Sequence, residues 1–244
     1  MEVTKLSLLL KVLEGESESS LATQLRMFQE RALPDLDNNI KCGNSLIGPD
    51  FYENEQMMLL DEEEHYRINV FDWQTAFPQV FAGENPGFDA VIGNPPYLRI
   101  QGLQEHYGSQ IHYFLDQYTS AVKRFDLYLL FAEKGFDLLN RDGRLGYICP
   151  HKFVNSDFGS GLREFLILNR AMESFISFGN NLIFDQASTY TSILLLQKRD
   201  DPDFYFYEFD SMKSLELRSR LAQLDDEKFA KYKPRVGHDR HMLR

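Results

Sequence analysis

The chain has 244 residues, 43% of them hydrophobic, and a formal net charge of −11. That length and apolar content suit one large domain, or a domain with an appendage, and no apolar run approaches the length of a membrane span. The acidic balance counts against a free-standing DNA-binding surface; the N-terminus lacks a signal-peptide pattern, and two cysteines far apart, Cys42 and Cys149, suit a reduced, cytoplasmic protein.

In chain order, apolar residues at helical spacing predict a half-buried helix over 3–13. A polar, Ser/Glu-rich stretch follows, then a short helix over 22–31. Residues 39–44 read as a short strand running into a Gly/Asn turn, and 51–66 as an acidic helix. The aromatic anchors of 70–81, with the only tryptophan, Trp73, read as core. Residues 88–93 (FDAVIG) form the clearest strand. Residues 99–120 are polar, aromatic and irregular, which predicts a mobile loop. A strong amphipathic helix covers 125–139, and Asn140-Arg141-Asp142-Gly143 is a turn signal before a strand at 145–148. A helix over 160–168 begins near Ser156 or Ser160. Strands are predicted at 175–178, 192–197 and 204–209, a helix at 213–224, and a charged linker from Asp225. Helices alternate with strands through the first two-thirds, so the fold class is α/β with a mainly parallel sheet. Ligands of such sheets sit at the carboxyl ends of the strands.

At that end of the strand over 88–93 stands Asn94-Pro95-Pro96-Tyr97. These residue types suit methylation of an amino nitrogen attached to a planar, conjugated system. The lone pair of such a nitrogen is delocalised into the ring, which makes it a poor nucleophile. Accepting its two N–H hydrogens, one on the Asn94 side-chain oxygen and one on the Pro95 carbonyl, moves the nitrogen toward tetrahedral geometry and aims its lone pair at a methyl donor. The gain is positioning and electrostatic preorganisation. Two prolines fix two φ angles and remove two backbone donors, and the first pushes Asn94 toward extended backbone. Tyr97 offers a flat face for an unstacked base. The alternative is a Pro-Pro turn that ends a strand, with Tyr97 as surface packing.

Other chemistry is sparse. No pair of close-spaced Cys or His ligands occurs, and His106 and His112 are separated by a loop-like stretch, so no metal is expected. Asp61-Glu62-Glu63-Glu64 and Asp200-Asp201 read as solvated acidic loops. The cations Lys123, Arg124, Lys134, Arg141, Arg144 and Lys152 fall near the motif in sequence, and phosphate contact by some of them stays open.

Five segments together resemble the methyltransferase core of type IIG restriction–modification enzymes, adenine-N6 DNA methyltransferases with an Asn-Pro-Pro-Tyr motif. They are TKLSLLLKVLEGE, NNIKCGNSLIGPDF, FDWQTAFPQVFAGENPGFDAVIGNPPYLRIQ, DLYLLFAEKGFDLLNRDGRLGYICPHKF and NLIFDQASTYTSILLLQK, in that order over nearly the whole chain. The resemblance implies a Rossmann-like fold dependent on S-adenosylmethionine, with antiparallel strands near its C-terminal end. It implies that Asn94 and Pro95 hold the target amine, with Pro96 completing the motif, and that Tyr97 stacks on a flipped adenine of double-stranded DNA. Phe184 resembles the aromatic that covers the other face of the base, and Asn44 matches a position that contacts the cofactor's adenine, with Asn94 also on the cofactor side. Read alone, Phe184 suits core packing and Asn44 a turn; Tyr190 competes with Phe184 for the stacking role, and Phe131 and Phe136 suit helix packing.

The chain departs from the family at its start. Relatives carry a strand and a Gly-rich turn before the TKLSLLL segment, and such turns let backbone approach a ligand; no such turn precedes residue 40. The expectation is a partial, incomplete catalytic domain over 1–210 and a helix and linker over 211–244, toward a DNA-specificity domain outside the chain. Cofactor binding and methylation by the piece are expected to be impaired. Two other readings stay open. A protein-glutamine N5-methyltransferase shares the motif, because an amide nitrogen poses the same problem. A non-catalytic remnant or interaction module would use the unpaired edge of the sheet.

Overall fold

The computed structural model describes residues 4, 7, 8, 11, 38–53, 62–100, 108–122, 124–184, 189–209, 224 and 228–232. Six strands form one open sheet: β1 (Phe88–Gly93), β2 (Leu139–Pro150), β3 (Met172–Ser177), β4 (Thr191–Gln197), β5 (Phe204–Glu208) and β6 (Ala230–Tyr232), in the spatial order β1-β2-β4-β3-β5-β6. β1 pairs parallel with β2, and β3 with β5. β4 runs antiparallel between β2 and β3, and β6 antiparallel on β5. Four strands therefore share one direction, and the α/β sheet with antiparallel strands toward the C-terminal end is the architecture expected. Among the described residues β1 has no strand on its second edge.

The helices are α1 (Glu62–Ile68), the single turns α2 (Trp73–Ala76) and α3 (Pro78–Phe81), then α4 (Gly108–Gln117), α5 (Leu127–Asp137) and α6 (Ser160–Leu168). α5 is the central one. It is less amphipathic than expected: Tyr128, Leu129, Leu130, Ala132, Glu133, Gly135 and Phe136 are all buried. The Phe136 ring meets Phe165 of α6 edge-on at 5.5 Å, so α5 is enclosed by the sheet and a second helix, which explains an apolar surface wider than one stripe. Its single buried charge, Glu133, accepts hydrogen bonds from Thr119 N (2.9 Å) and Ser120 N (2.7 Å). That carboxylate fixes the loop entering α5 by the charge-assisted bonds a buried acid requires.

Strand alternation separates two cores. Tyr147, Leu194 and Phe175 are in register on the α5 face and join the main cluster. Ile148, Ile193 and Ile176 are in register on the other face, where a smaller cluster gathers Phe178, Ile183 and Phe209. On that second face the β1 residue aligned with Gly146 is Ile92, which is 90% exposed.

The chain enters β1 through Gly87 at φ +119°. A Cβ there would meet Asn140 N at 2.5 Å and the Leu139 carbonyl carbon at 2.6 Å, so both conformation and space require glycine.

Several elements differ from the sequence reading. Residues 99–120, expected as a loop, contain the ten-residue α4 with Phe114 buried; Ile111, Phe114 and Tyr118 are at helical spacing within a polar stretch. The turn signal of 140–143 is real but nested inside β2. Phe88 pairs with Leu139 and Ala90 with Arg144, so the intervening residues bulge out. Asn140 Oδ1 accepts from Asp142 N (3.1 Å), and Asn140 Nδ2 donates to Asp89 (2.7 Å). Residues 40–42 form no strand; instead Asn44 makes an isolated bridge to Val70. Residues 230–232, expected as linker, form β6. The acidic stretch at 51–66 divides into a 3-10 turn, Pro49–Glu53, and α1, with 54–61 outside the described residues. The expected helices over 22–31 and 213–224 also lie outside, apart from Leu224, while Thr4, Ser7, Leu8 and Lys11 are helical as expected.

Candidate active site

The parallel ladder of β1 on β2 sets the site. Gly93 lies opposite Tyr147, and a Cβ at Gly93 would come within 3.1 Å of the Tyr147 ring. From that close-packed point Asn94 to Leu98 cross the carboxyl end of the sheet with trans peptide bonds. Asn94 is exposed, and its amide makes no hydrogen bond among the described residues. Pro95 is buried, and its carbonyl accepts no backbone hydrogen bond among them. Pro96 is exposed.

Tyr97 is half-buried and fixed. Its hydroxyl donates to the Ile148 carbonyl of β2 at 3.1 Å, and its ring meets that of Tyr128 edge-on at 6.3 Å. Tyr128 is 1% exposed and reaches the Phe153 ring in turn. Burial, helped by Cys149, pushes the Tyr97 phenol up to about 12, so it stays a neutral donor. The next residues complete the anchorage: Ile100 N donates to the Phe125 carbonyl (3.1 Å) and Leu127 N to the Leu98 carbonyl (2.9 Å). The Asn94–Tyr97 loop is thus held by the ladder before it, a hydroxyl within it and a two-bond bridge after it. Two acceptors in it, the Asn94 amide oxygen and the Pro95 carbonyl, have no hydrogen-bond partner among the described residues.

The two candidate stacking aromatics differ. Phe184, 38% exposed, follows the buried Ile183 of the smaller core and makes no ring contact among the described residues. Tyr190, 41% exposed, stacks on His151 at 6.1 Å and 24°, and its carbonyl accepts from His151 N at 3.3 Å. His151 was not legible as a site residue. It opens a 3-10 turn, His151–Val154, at the carboxyl end of β2. Burial holds its imidazole below the usual range against the opposing charge of Glu208, and its Nδ1 is buried without a partner. The one available signal was its position just beyond the apolar strand ending Cys149-Pro150.

Asn44 lies at the start of a turn and bridges to Val70. Its side-chain oxygen accepts from Leu46 N at 3.2 Å, the turn role that the residue suggests by itself. Next to it Ser45 accepts the Trp73 indole N–H at 3.1 Å on its carbonyl. Ser45 and Trp73 also border a cavity of about 380 Å³ along β1, walled by Phe88, Ile92, Phe131 and Tyr147. Phe131 therefore has a face toward that cavity, whereas Phe136 is packing alone. Among the described residues no three His, Cys, Asp or Glu side chains gather in one place, and no helix is long and apolar enough to cross a membrane.

Comparison with known proteins places this arrangement. Residues 1–184 match the Eco57I restriction-modification methylase family. The chain is 35% identical over 206 residues to the type II restriction enzyme and methyltransferase RM.Eco57I of Escherichia coli, covering 84% of this chain and 18% of that protein. It is 28% identical over 182 residues to the type II methyltransferase M.AccI of Acinetobacter calcoaceticus, covering 72% and 29%. Among solved structures, a DrdV–DNA complex superposes with a TM-score of 0.58 at 18% identity, over 91% of this chain and 22% of that one. The type ISP restriction-modification enzyme LlaBIII bound to DNA superposes with a TM-score of 0.54 at 15% identity, over 87% and 15%. The chain thus spans less than a third of the length of these proteins.

Proposed function

The chain belongs to the Eco57I restriction-modification methylase family, and from that premise we propose that it is the core of a site-specific DNA methyltransferase acting on N6 of adenine. The observation that carries the reading is the pair of unpartnered acceptors at Asn94 and Pro95, on a loop immobilised by Tyr97 and the 98–100 bridge. Acceptors held in advance need no reorganisation when the amine arrives, and this is the condition under which electrostatic positioning lowers a barrier. Asn94 and Pro95 would accept the two amine hydrogens; the nitrogen lone pair would form the new N–C bond as the methyl–sulfur bond of the donor breaks, sulfur keeping that electron pair as a neutral thioether, and one amine hydrogen would leave as a proton to solvent. Tyr97 and an aromatic of the 178–190 segment, Phe184 or Tyr190, hold the flipped base. The DNA in the DrdV and LlaBIII complexes supports DNA as the substrate class.

S-adenosylmethionine supplies an electrophilic methyl group on sulfonium sulfur. The described residues suit one part of it: Trp73, Phe88, Phe131 and Tyr147 give the cavity beside Ser45 an aromatic wall for a purine. Among the described residues no acidic side chain lines that cavity, and the Asn44 amide oxygen is already engaged. Weak cofactor binding by this chain is therefore expected, and micromolar affinity by calorimetry would overturn it.

The test is transfer of a labelled methyl group at high cofactor concentration to a DNA duplex, to the same duplex with every adenine already N6-methylated, and to a glutamine-bearing peptide. Label is expected on the first alone. Asn94→Ala is expected to lower the rate by roughly 10²–10³, the loss seen when one preorganised polar group is removed, with no change in melting temperature, because the side chain is exposed. Label on the peptide would replace the DNA reading with amide methylation.

A further inference from the structure

We infer that Arg99 and Lys152 form a two-cation notch that takes backbone phosphate of the DNA next to the target nucleotide. The inference rests on the DNA reading above and adds residues to it. Arg99 and Asp126 face each other in an isolated antiparallel bridge. The bonds Ile100 N to Phe125 O and Leu127 N to Leu98 O flank that pair, which makes it the narrow, non-hydrogen-bonded kind whose side chains lie side by side. Arg99 is two residues beyond the fixed Tyr97, so its origin moves little.

Lys152 precedes Phe153, whose ring meets that of Tyr128, two residues beyond Asp126, at 6.4 Å. Its turn follows β2, and the Lys152 carbonyl accepts from Ser156 Oγ at 2.7 Å. Arg163 of α6 secures the same turn by donating to the carbonyls of Phe153 (2.5 Å) and Ser156 (2.7 Å). Both Arg99 and Lys152 are exposed, and among the described residues neither head group forms an ion pair.

Asp126 joins them from the start of α5. An aspartate at a helix N-cap usually accepts from the first-turn amides; this one makes no such bond. Its carboxyl is half-buried, and burial raises its pKa while the charges of Arg99 and Lys152 pull it down. Two cations around one partly desolvated acid leave a net charge of about +1 at the mouth of the site, in a chain whose total is −11. A phosphodiester is the DNA group that matches an exposed positive notch beside a base-holding loop.

The experiment measures binding of the full chain to a fluorescein-labelled duplex with a mismatched adenine, by anisotropy across a sodium chloride series. Each phosphate neutralised contributes about 0.9 to the slope of log affinity against log salt. The double variant Arg99→Ala/Lys152→Ala is expected to lose about 0.9 of that slope, one phosphate's share, and several-fold in affinity at low salt, while keeping the parental melting curve. Arg67→Ala/Arg141→Ala removes the same charge elsewhere and is expected to keep the slope. An unchanged slope in the Arg99/Lys152 variant, or an equal loss in the Arg67/Arg141 variant, overturns the notch and leaves the DNA reading standing. Absence of duplex binding by the parent at low salt removes both.

Discussion

The two flanks of β1 are built to different standards. Toward β2 the strand has a continuous parallel ladder from Ala90 to Gly93, a tyrosine ring packed over its last residue and a following loop secured at three points. Away from β2, Ala90 and Ile92 are exposed, and the half-buried Trp73, Phe88 and Phe131 border the cavity beside Ser45. The contrast separates two demands on a transfer site. On the proposed function, groups that hold a poor nucleophile would have to be in place before it arrives, which fits the flank secured by the ladder and by Tyr97. A face that a soluble ligand enters and leaves needs only shape and exposure.

The sharpest way to break this comparison is to remove the support under Tyr97. Tyr128→Ala is expected to lower stability by roughly 3–5 kcal/mol, the range for truncating a fully buried aromatic, measured as a shift in the urea midpoint. A loss below 1 kcal/mol would mean that the β2 flank is not the rigid one. Next in size, Tyr97→Phe keeps the ring and deletes the hydroxyl bond to Ile148. A loss of about 1 kcal/mol is expected, with methyl transfer reduced less than tenfold and no change in its pH profile, because the phenol titrates far above neutrality. A large activity loss in Tyr97→Phe would transfer the anchoring role into the chemistry. Smallest of all, Ile92→Gln on the open flank is expected to stay within ±0.5 kcal/mol of the parent in thermal melts, as exposed substitutions do. A drop of several degrees would show that residues outside those described cover the flank.

Much of this was readable along the chain because it is local. The strand over 88–93, the helix over 160–168 and the strand near 192–197 announce themselves by periodicity, and the structure returns them within a residue. The motif itself is four consecutive residues, so its chemistry needed no tertiary information. Other features depend on partners distant in sequence. β2 extends back to Leu139 because β1 pairs with Leu139 before the bulge, which no property of Asn140-Arg141-Asp142-Gly143 announces. α4 is polar on most of its surface and is held by a few residues such as Phe114. His151 and Asp126 meet Tyr190 and Arg99, partners distant in sequence that strand pairing supplies. The choice between Phe184 and Tyr190 was open in the sequence for the same reason, and the ring contact with His151 distinguishes their surroundings.

The reversal of β4 has a consequence for assembly. Because β3 and β4 run in opposite directions, the segment joining them lies at the same end of the sheet as Asn94, and so Phe184 and Tyr190 stand at that end without the chain crossing the sheet. Yet β4 lies between β2 and β3, two strands made earlier. During synthesis the Asn94–Tyr97 loop can therefore form on β1, α5 and β2 before the segment ending at Tyr190 is paired. The last step of building the site is the insertion of a strand into a gap, and a chain stopped before residue 191 would carry the motif as a shelf open on one side.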